Sequence, residues 1–386
     1  MSHPCVVLGV LVLARTAYGM QYPSLGAVGP AVMGSLDLTF AALGTLIGAY
    51  SALGLFVALP GGWLIGRFGD RRILLLGIGL MMAGGVMLVS APIFEVALLA
   101  RLLSGGGSVL VVVVAPKMVM DRFPAPQLPA AMGALIVGYP LGNALALGLL
   151  PITGSWRPAM GLVAGLCALA LVAAAFIVRK VDGGPATVVG RTPWPDRRPL
   201  LALLAIAGVW ALLNCGFAAF LGFAPAFFVA QGMPPATAGL LLSLAPLIIV
   251  PFAPAAGWLV GHIGHPLKIV AASLVMSVAA LLALVSEWPA VPALFLLGAV
   301  TGVMSGPIMA LPNEVLAPQQ RALGMGIFYA VFYGSLTVLP PLAGYAADAT
   351  GSVAAPLFVA AGLYGFGVLA LIGFVVLRPG KPAAVG

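Results

Sequence analysis

Charged side chains are scarce in this chain. Lysine and arginine supply 17 of its 386 residues and aspartate and glutamate only 9, whereas 62% of the residues are hydrophobic and the mean hydropathy is +1.18. A soluble globular domain is about half apolar and about a quarter charged, so the composition excludes that class. The length suffices for about a dozen spans of ~20 residues with short connections. The chain is therefore predicted to be an all-α integral membrane protein.

The sequence also has few residues that could act in catalysis or bind a metal. The three cysteines, Cys5, Cys167 and Cys215, lie in apolar runs without metal-ligand spacing, and we interpret them as packing residues. No nucleophile–base constellation, metal cluster or phosphate-binding loop is visible in the sequence. We therefore expect no enzyme, no metal or other cofactor, and no direct drive by ATP. The N-terminus lacks the basic region and cleavage site of a signal peptide, so we expect it to enter the first helix directly.

Apolar runs interrupted by charge predict twelve helices, near 5–30, 40–64, 73–91, 95–117, 131–152, 158–178, 200–228, 237–260, 268–286, 292–312, 323–346 and 354–377. One alternating set of connections carries 14 of the 17 basic residues, and the other carries only Arg157. Because basic residues are retained on the cytoplasmic side, the asymmetry places both termini in the cytoplasm of a bacterial-type inner (plasma) membrane. The same distribution explains the net charge of +8 without any nucleic-acid partner.

The longest polar segment divides the chain in two. Arg179–Arg198 is rich in charge, glycine and proline, and we interpret it as a cytoplasmic linker (179–198) between six-helix bundles at 1–178 and 199–386. A shift of 195 residues superposes the halves without a gap from the first helix to the loop after the second: Gly62-Trp63-Leu64 falls on Gly257-Trp258-Leu259. Two parallel repeats of this kind are a transporter architecture, with the substrate site at mid-depth between them.

The loop Gly62–Arg72, GWLIGRFGDRR, carries four charges in six positions. It resembles the signature between the second and third helices of the major facilitator superfamily, Gly-x-x-x-Asp-Arg-x-Gly-x-Arg-Arg. Gly66 stands where that family has its acidic residue, and Asp70 is the candidate to replace it. Further segments resemble other motifs of the superfamily: Arg101–Gly107 in the fourth helix, Gly138–Gly142 in the fifth, Gly154–Arg157 before the sixth and Gly344–Gly351 between the last two.

The resemblance implies the major facilitator fold, with twelve helices as two parallel six-helix pseudo-repeats. It implies rocking of the halves around a central site, a cavity lined by helices one, four, seven and ten, and a monomer in the lipid bilayer. It also implies a latch at the cytoplasmic side, in which Arg67 and Arg71 pair with Asp121, assisted by the C-terminal dipole of a neighbouring helix. The equivalent loop of the second half has lost these charges, so the latch is expected to belong to the first half.

Arg15 is the first of two charges predicted within helices. It lies about ten residues into the first helix, roughly 15 Å deep, with Tyr18 and Tyr22 on the same face. The shift of 195 residues carries this face to the seventh helix, where it presents Trp210, Asn214 and Phe217. A guanidinium among aromatic and amide groups favours a carboxylate or a small oxyanion. The alternatives are that Arg15 caps broken backbone near Gly19 or Pro23, and that the aromatic residues only pack.

Arg101 is the second such charge. It resembles the helix-four arginine of the superfamily, which is implicated in proton coupling or gating; the alternative is a hydrogen-bond donor to neighbouring helices. No aspartate or glutamate lies deep in a predicted helix. This absence argues against carriers of lipophilic cations and against proton-coupled sugar carriers, which usually hold a carboxylate in the membrane.

These observations lead to a prediction of function. We expect a secondary active transporter that moves a small anion by alternating access, coupled to a proton or to an exchanged anion. Candidate substrates are a monocarboxylate, a dicarboxylate, cyanate, nitrate or nitrite, because short loops and an arginine in the first helix resemble the cyanate and nitroimidazole transporter branch. The alternative is an exporter of neutral or hydrophobic compounds, of the drug-efflux type. A third hypothesis is a receptor or assembly partner that uses the same fold without transport.

Overall fold

The computed structural model describes residues 3–57, 61–178, 194–286 and 288–378, with backbone only at positions 61–64, 258, 261, 263 and 322. Regular structure within these ranges is helical throughout. Twelve long helices, numbered here in chain order, run over Pro4–Gln21, Phe40–Ala52, Asp70–Val89, Phe94–Met120, Leu128–Leu149, Trp156–Ile177, Arg197–Ala230, Leu244–Ile263, Pro266–Val285, Ala290–Ala310, Arg321–Thr350 and Ala355–Leu377. Alone or with a short adjoining helix, each is long and apolar enough to cross a membrane. The predicted fold class is confirmed.

Short helices extend several of these spans. Helix 1 continues as Ser24–Ala27 and Gly29–Leu36, and helix 2 as Gly54–Val57 and Gly61–Phe68. Pro235–Leu242 precedes helix 8, and Pro312–Val315 follows helix 10. Two 3₁₀ turns, Leu150–Thr153 and Pro318–Gln320, complete the set.

The prediction of a continuous first helix over 5–30 is wrong. The α-helix stops at Gln21, and Pro23 precedes the short helix that follows. Because proline has no backbone N–H, it cannot bond to the carbonyl one turn earlier, and its ring obstructs that carbonyl. The break therefore leaves carbonyl groups in the protein interior that need another donor.

The helices pack as two groups with a limited contact between them. Helix 1 packs on helices 5 and 6, helix 3 on helices 4 and 6, and helix 2 on helix 4. In the second group helix 7 packs on helices 11 and 12, and helix 10 on helices 8 and 9. The groups meet mainly where helix 2 crosses helix 11 and where helix 5 meets helix 8. Most of the predicted linker, 179–193, lies outside the described residues, as does Glu287, while Arg197 and Arg198 already belong to helix 7.

One backbone feature recurs at the interval of the predicted repeat. Gly69, after the continuation of helix 2, has φ of 81°, and Gly264, after helix 8, has φ of 70°. Side chains with a Cβ rarely adopt this left-handed region, so glycine suits the tight turn into the next helix. The two positions are related by the same shift of 195 residues that superposes the halves in sequence.

Helices 2 and 11 join the two groups at one face. We call the face with Pro4 and Leu377 the terminal face and the opposite one the far face. At the far face the Asp348 carboxylate accepts hydrogen bonds from the backbone N–H groups of Phe40 (2.9 Å) and Ala41 (2.8 Å), which ties helix 11 to the start of helix 2. Just below, Gly44 and Gly48 of helix 2 face carbonyl groups of helix 11 so closely that a Cβ would collide.

Candidate functional site

Arg101 supplies the donors that the break in helix 1 requires. Its Nη1 and Nη2 donate to the carbonyl oxygens of Gln21 (2.8 Å) and Tyr22 (2.9 Å), and its Nε donates to the carbonyl of Leu46 in helix 2 (3.0 Å). These carbonyls belong to the C-terminal end of helix 1 and to a neighbouring helix, where partial negative charge favours a cation. The guanidinium is fully buried and yet satisfied along all three nitrogens.

A polar network completes the surroundings of Arg101. Its guanidinium lies 4.4 Å from the centre of the Tyr50 ring, and the Tyr50 hydroxyl donates to the Gln21 side chain (3.1 Å). The Gln21 amide in turn donates to the carbonyl of Met81 in helix 3 (2.9 Å). The structure thus favours the predicted alternative for Arg101, a hydrogen-bond donor to neighbouring helices. Every group in this network belongs to helices 1–4.

Arg15 has the opposite environment. It is half-buried in helix 1, and its Nε is buried without a hydrogen-bond partner. No hydrogen bond or ion pair joins its guanidinium to another residue in the part of the chain that the structure describes. The predicted alternative, in which Arg15 caps the break near Gly19 or Pro23, is therefore wrong, because Arg101 holds those carbonyls.

Two tyrosine rings of the first half lie beside Arg15. Its guanidinium lies 5.7 Å from the Tyr18 ring centre, and Tyr18 stacks on Tyr139 of helix 5 at 4.9 Å. A separate aromatic series in the second half joins Tyr333 and Tyr329 of helix 11 through Phe332 and Phe328 to Trp210 of helix 7.

Close packing of helices 1 and 5 fixes the position of Arg15. A Cβ on Gly138 would approach the Arg15 Cβ to 2.8 Å, and Gly142 similarly faces the backbone of Thr16–Met20. Small residues of this kind let two helices approach at backbone contact distance. The Gly138–Gly142 segment recognised in the sequence therefore holds helix 1 in a defined position against helix 5.

The other predicted site residues divide into two groups. Tyr22 is buried at 4% exposure among Tyr50 and Tyr139, one turn above Tyr18. In helix 7, Phe217 packs on Phe220 and is buried, so it contributes to the core. The Asn214 amide donates to the carbonyl of Trp210 in its own helix (2.7 Å). Only Trp210 leaves a donor unused, since its Nε1 is buried without a partner.

Sequence reasoning missed residues from helices 2, 5 and 11. Tyr50, Tyr139, Tyr329, Tyr333 and Asn143 were not predicted, because only helices one, four, seven and ten were expected to line the cavity. Asn143 is fully buried, and neither atom of its amide has a hydrogen-bond partner among the described residues. The tyrosines could have been recognised in the sequence. The chain has only 8, and most of them lie inside apolar runs, where each hydroxyl needs a hydrogen-bond partner.

The signature loop makes contacts that differ from those predicted. Asp70 and Asp121 both bind Lys117 of helix 4, at 2.9 and 2.7 Å. Arg71 does not pair with Asp121; its Nε donates to the carbonyl of Val178 and its Nη2 to that of Ala175, at the C-terminal end of helix 6 (2.6 and 2.8 Å). The expected assistance from a helix C-terminus is thus present, but these contacts stay within helices 1–6. A gating role for Arg67, Asp70, Arg71, Asp121 and Arg101 stays a prediction.

The comparisons with known proteins agree with this architecture. The sequence model of the Major Facilitator Superfamily matches residues 7–314 and, in a second alignment, 214–386. The chain belongs to this superfamily. It is a multi-pass membrane protein with the helix number predicted from its composition.

A relative within this superfamily is the cyanate transport protein CynX of Escherichia coli, strain K12. The chain is 28% identical to it over 249 residues, which is 62% of this chain. The match spans 63% of the length of that relative.

Solved structures of major facilitator proteins share the fold at low sequence identity. A D-xylose–proton symporter superposes with a TM-score of 0.78 at 15% identity, covering 98% of each chain. A bacterial homologue of the human lysosomal transporter Spinster, in an inward-facing and occupied conformation, gives 0.75 at 15% identity, covering 97% of this chain and 98% of that one. The nucleoside transporter NupG gives 0.74 at 12%, covering 96% and 99%. At these identities the likeness concerns the fold alone.

Proposed function

We propose that this protein is a secondary transporter that moves a small anion through the membrane by alternating access, with Arg15 as the residue that binds the anion. The observation that carries the proposal is the guanidinium of Arg15, whose Nε is buried without a hydrogen-bond partner among the described residues. A charge within a span is costly and normally faces a partner or an aqueous cavity. Arg15 has no partner among the described residues, so its partner is best supplied by the substrate.

Further donors support an anionic ligand. The Nδ2 of Asn143 and the Nε1 of Trp210 are buried and unbonded, and a buried donor without an acceptor is destabilising. The acidic residues that the structure describes all lie in connections or at helix ends, so none of these competes for Arg15 at mid-depth. Arg101 is less suited than Arg15 to bind a ligand, because it is fully buried and each of its three nitrogens donates to a carbonyl group.

The relative supports the same class of substrate. Its name assigns cyanate transport to that protein, and cyanate is a small monovalent anion. The distribution of lysine and arginine supports an inner-membrane orientation with the terminal face in the cytoplasm. In that orientation the far face is the outer one.

A second candidate function is export of neutral aromatic compounds. The observation in its favour is the presence of two aromatic groups, Tyr18 with Tyr139 in the first half and Phe332 with Trp210 in the second. Under this hypothesis Arg15 remains without a counter-ion in the loaded protein, which is the reason we prefer an anion.

A thermal-stability screen of the purified protein tests the proposal. We expect one or more small anions to raise the unfolding temperature of the wild type; a ligand at about 100 times its Kd adds about 2.7 kcal/mol to the folded state. Arg15→Gln should fold normally and lose this response. Arg157→Gln, which removes the same charge at the far face, should keep it. Stabilisation by neutral aromatic compounds alone, equal in all three proteins, would show that the anion hypothesis is wrong.

A further inference from the structure

We infer that three backbone contacts between the halves form a reversible seam, which separates and becomes hydrated when the protein opens at its far face. In each contact a glycine of one half covers a carbonyl group that a proline has freed from helical hydrogen bonding in the other half. It rests on the alternating access of the proposed function and adds the backbone groups that part and rejoin.

The first contact joins helix 2 to helix 11. Pro341 has no backbone N–H, so it cannot bond to the carbonyl of Thr337, four residues earlier in helix 11. That carbonyl faces Gly48 of helix 2, where an added Cβ would collide with it. Pro340 frees the carbonyl of Leu336 in the same way, and this second oxygen would lie 3.2 Å from the same Cβ. Two freed carbonyls of the second half thus lie against one glycine of the first.

The second contact joins helix 5 to the short helix before helix 8, and here the glycine belongs to the second half. Pro151 frees the carbonyl of Leu147, and Gly239 faces that carbonyl so closely that a Cβ would collide. The shift of 195 residues carries Gly44 to Gly239, and Gly44 likewise lies against the backbone of helix 11 at Pro340. The two junctions are therefore related by the internal repeat.

The third contact joins the continuation of helix 1 to helix 7. Pro225 lies inside helix 7 and frees the carbonyl of Leu221. A Cβ on Gly26 would lie 2.6 Å from that carbonyl oxygen and 2.5 Å from the Cα of Gly222. Because the shift of 195 residues carries position 26 to position 221, this contact joins equivalent positions of the two halves.

Glycine–carbonyl contacts within one half differ in the state of the carbonyl. Gly298 of helix 10 faces the carbonyl of Ala245 in helix 8, and Gly142 of helix 5 faces that of Thr16 in helix 1. In both cases the residue four positions after the carbonyl is not proline and can donate its N–H within the helix. Close packing at glycine is therefore common to both kinds of contact, whereas the proline-freed carbonyls distinguish the three contacts of the seam.

A freed carbonyl has different partners in the joined and separated conformations. Backbone without helical hydrogen bonds is tolerated at membrane depth where it is buried in protein or lines a water-filled cavity. When the halves are joined, the glycine Cα–H is a weak donor to the carbonyl. When they separate, water supplies a full hydrogen bond to the same oxygen. The freed carbonyls should therefore lower the cost of separating the halves along the seam.

Separation of the seam is tested with the full-length protein in lipid nanodiscs. The chain carries Cys5→Ser and Leu25→Cys, because Leu25 is fully buried beside the third contact. The measurement is the rate at which a charged maleimide labels position 25. Labelling of Cys167, which is buried within the first half, reports unfolding in the same sample.

The two kinds of substitution should act in opposite directions. Pro341→Ala returns an N–H to the Thr337 carbonyl, and we expect labelling of position 25 to be about twofold to fivefold slower. Gly48→Ala adds a methyl group where no space exists, and we expect labelling to be at least about fivefold faster. Gly298→Ala, the matched change within one half, should leave the rate unchanged.

Equivalent substitutions at the other contacts decide the result if a first variant unfolds. Pro225→Ala should slow labelling as Pro341→Ala does, and Gly239→Ala should accelerate it. Unchanged or faster labelling in the folded proline variants would overturn the role of the freed carbonyls. Unchanged labelling in the folded glycine variants would show that the halves do not separate along the seam. These measurements involve neither an anion nor Arg15, so their failure leaves the proposed anion site standing, and absence of anion binding leaves the seam standing.

Discussion

Two arginines lie inside the first half of this membrane protein, and their surroundings differ completely. Arg101 is fully buried, and its three nitrogens meet the carbonyls of Gln21, Tyr22 and Leu46. Arg15 is only half-buried, yet it has no hydrogen bond or ion pair among the described residues. Depth in the membrane thus says little about the role of a charge, whereas the number of satisfied donors separates a structural arginine from a candidate binding residue.

The position of each arginine relative to the two halves sharpens this difference. All ligands of Arg101 belong to helices 1 and 2, so the cluster can move as one rigid unit when the halves rock. No such bonds tie Arg15 to the helices around it within the described residues. A ligand that binds Arg15 shifts the conformational equilibrium only if it has different affinities for the two conformations.

Removal of Arg101 should have the largest effect. Arg101→Met removes three buried hydrogen bonds to the carbonyls of Gln21, Tyr22 and Leu46, and a hydrogen bond to a charged group contributes about 1.5–3 kcal/mol. We expect the free energy of unfolding to fall by at least about 3 kcal/mol. The measurements are the unfolding temperature, which should be much lower, and the yield of monodisperse protein, which should be poor. The matched variant Arg15→Met should unfold at the wild-type temperature or above it, because it removes an unpaired charge. Equal losses in the two variants would contradict the contrast between the arginines.

Sequence reasoning found both arginines but could not assign their roles. The break at Pro23 was visible as a proline, yet only the fold shows that Arg101, 78 positions later, reaches the carbonyls before it. Helix number and the approximate position of most helices followed from local apolar patterns, which act over one or two turns, although the first helix ends earlier than predicted. The tyrosine cluster required knowing that helices 2 and 5 bring Tyr50 and Tyr139 to helix 1, and this depends on tertiary packing that no local pattern encodes.

A conservative change should separate charge from geometry at both positions. Arg15→Lys keeps the positive charge but loses the planar pair of donors that binds an oxyanion through two bonds. We expect the protein to fold normally and to bind its anion about tenfold or more weakly, which corresponds to about 1.4 kcal/mol per factor of ten. Titration of the thermal shift measures this affinity. Arg101→Lys, by contrast, should lower stability, since one ammonium cannot reach three carbonyls as the fork does. Unchanged anion affinity in Arg15→Lys would mean that the anion interacts with the positive charge at long range and forms no direct pair of hydrogen bonds with Arg15.

Asp348 at the far face joins the two halves, whereas the hydrogen bonds of Arg101 stay within the first half. Asp348 caps two N–H groups of helix 2, and loss of such a cap typically costs about 1 kcal/mol. Asp348→Ala should therefore open the far face several-fold more often. The readout is the labelling rate of a cysteine placed at Leu25, which is buried near that face, in a chain with Cys5 replaced by serine. Glu95→Ala, an acid of the same face within one half, should not change the rate.

The smallest effect is expected at the terminal face. Lys117 joins Asp70 to Asp121 but is 37% exposed, and exposed ion pairs contribute roughly 0–1 kcal/mol. Lys117→Ala should lower the unfolding temperature slightly, and high salt, which screens such pairs, should diminish the difference from wild type. Anion affinity should not change, because these contacts stay within helices 1–6 and away from Arg15. If Lys117→Ala instead slows transport without changing anion affinity, the signature loop must form additional contacts in another conformation. That result would support the latch implied by the family resemblance.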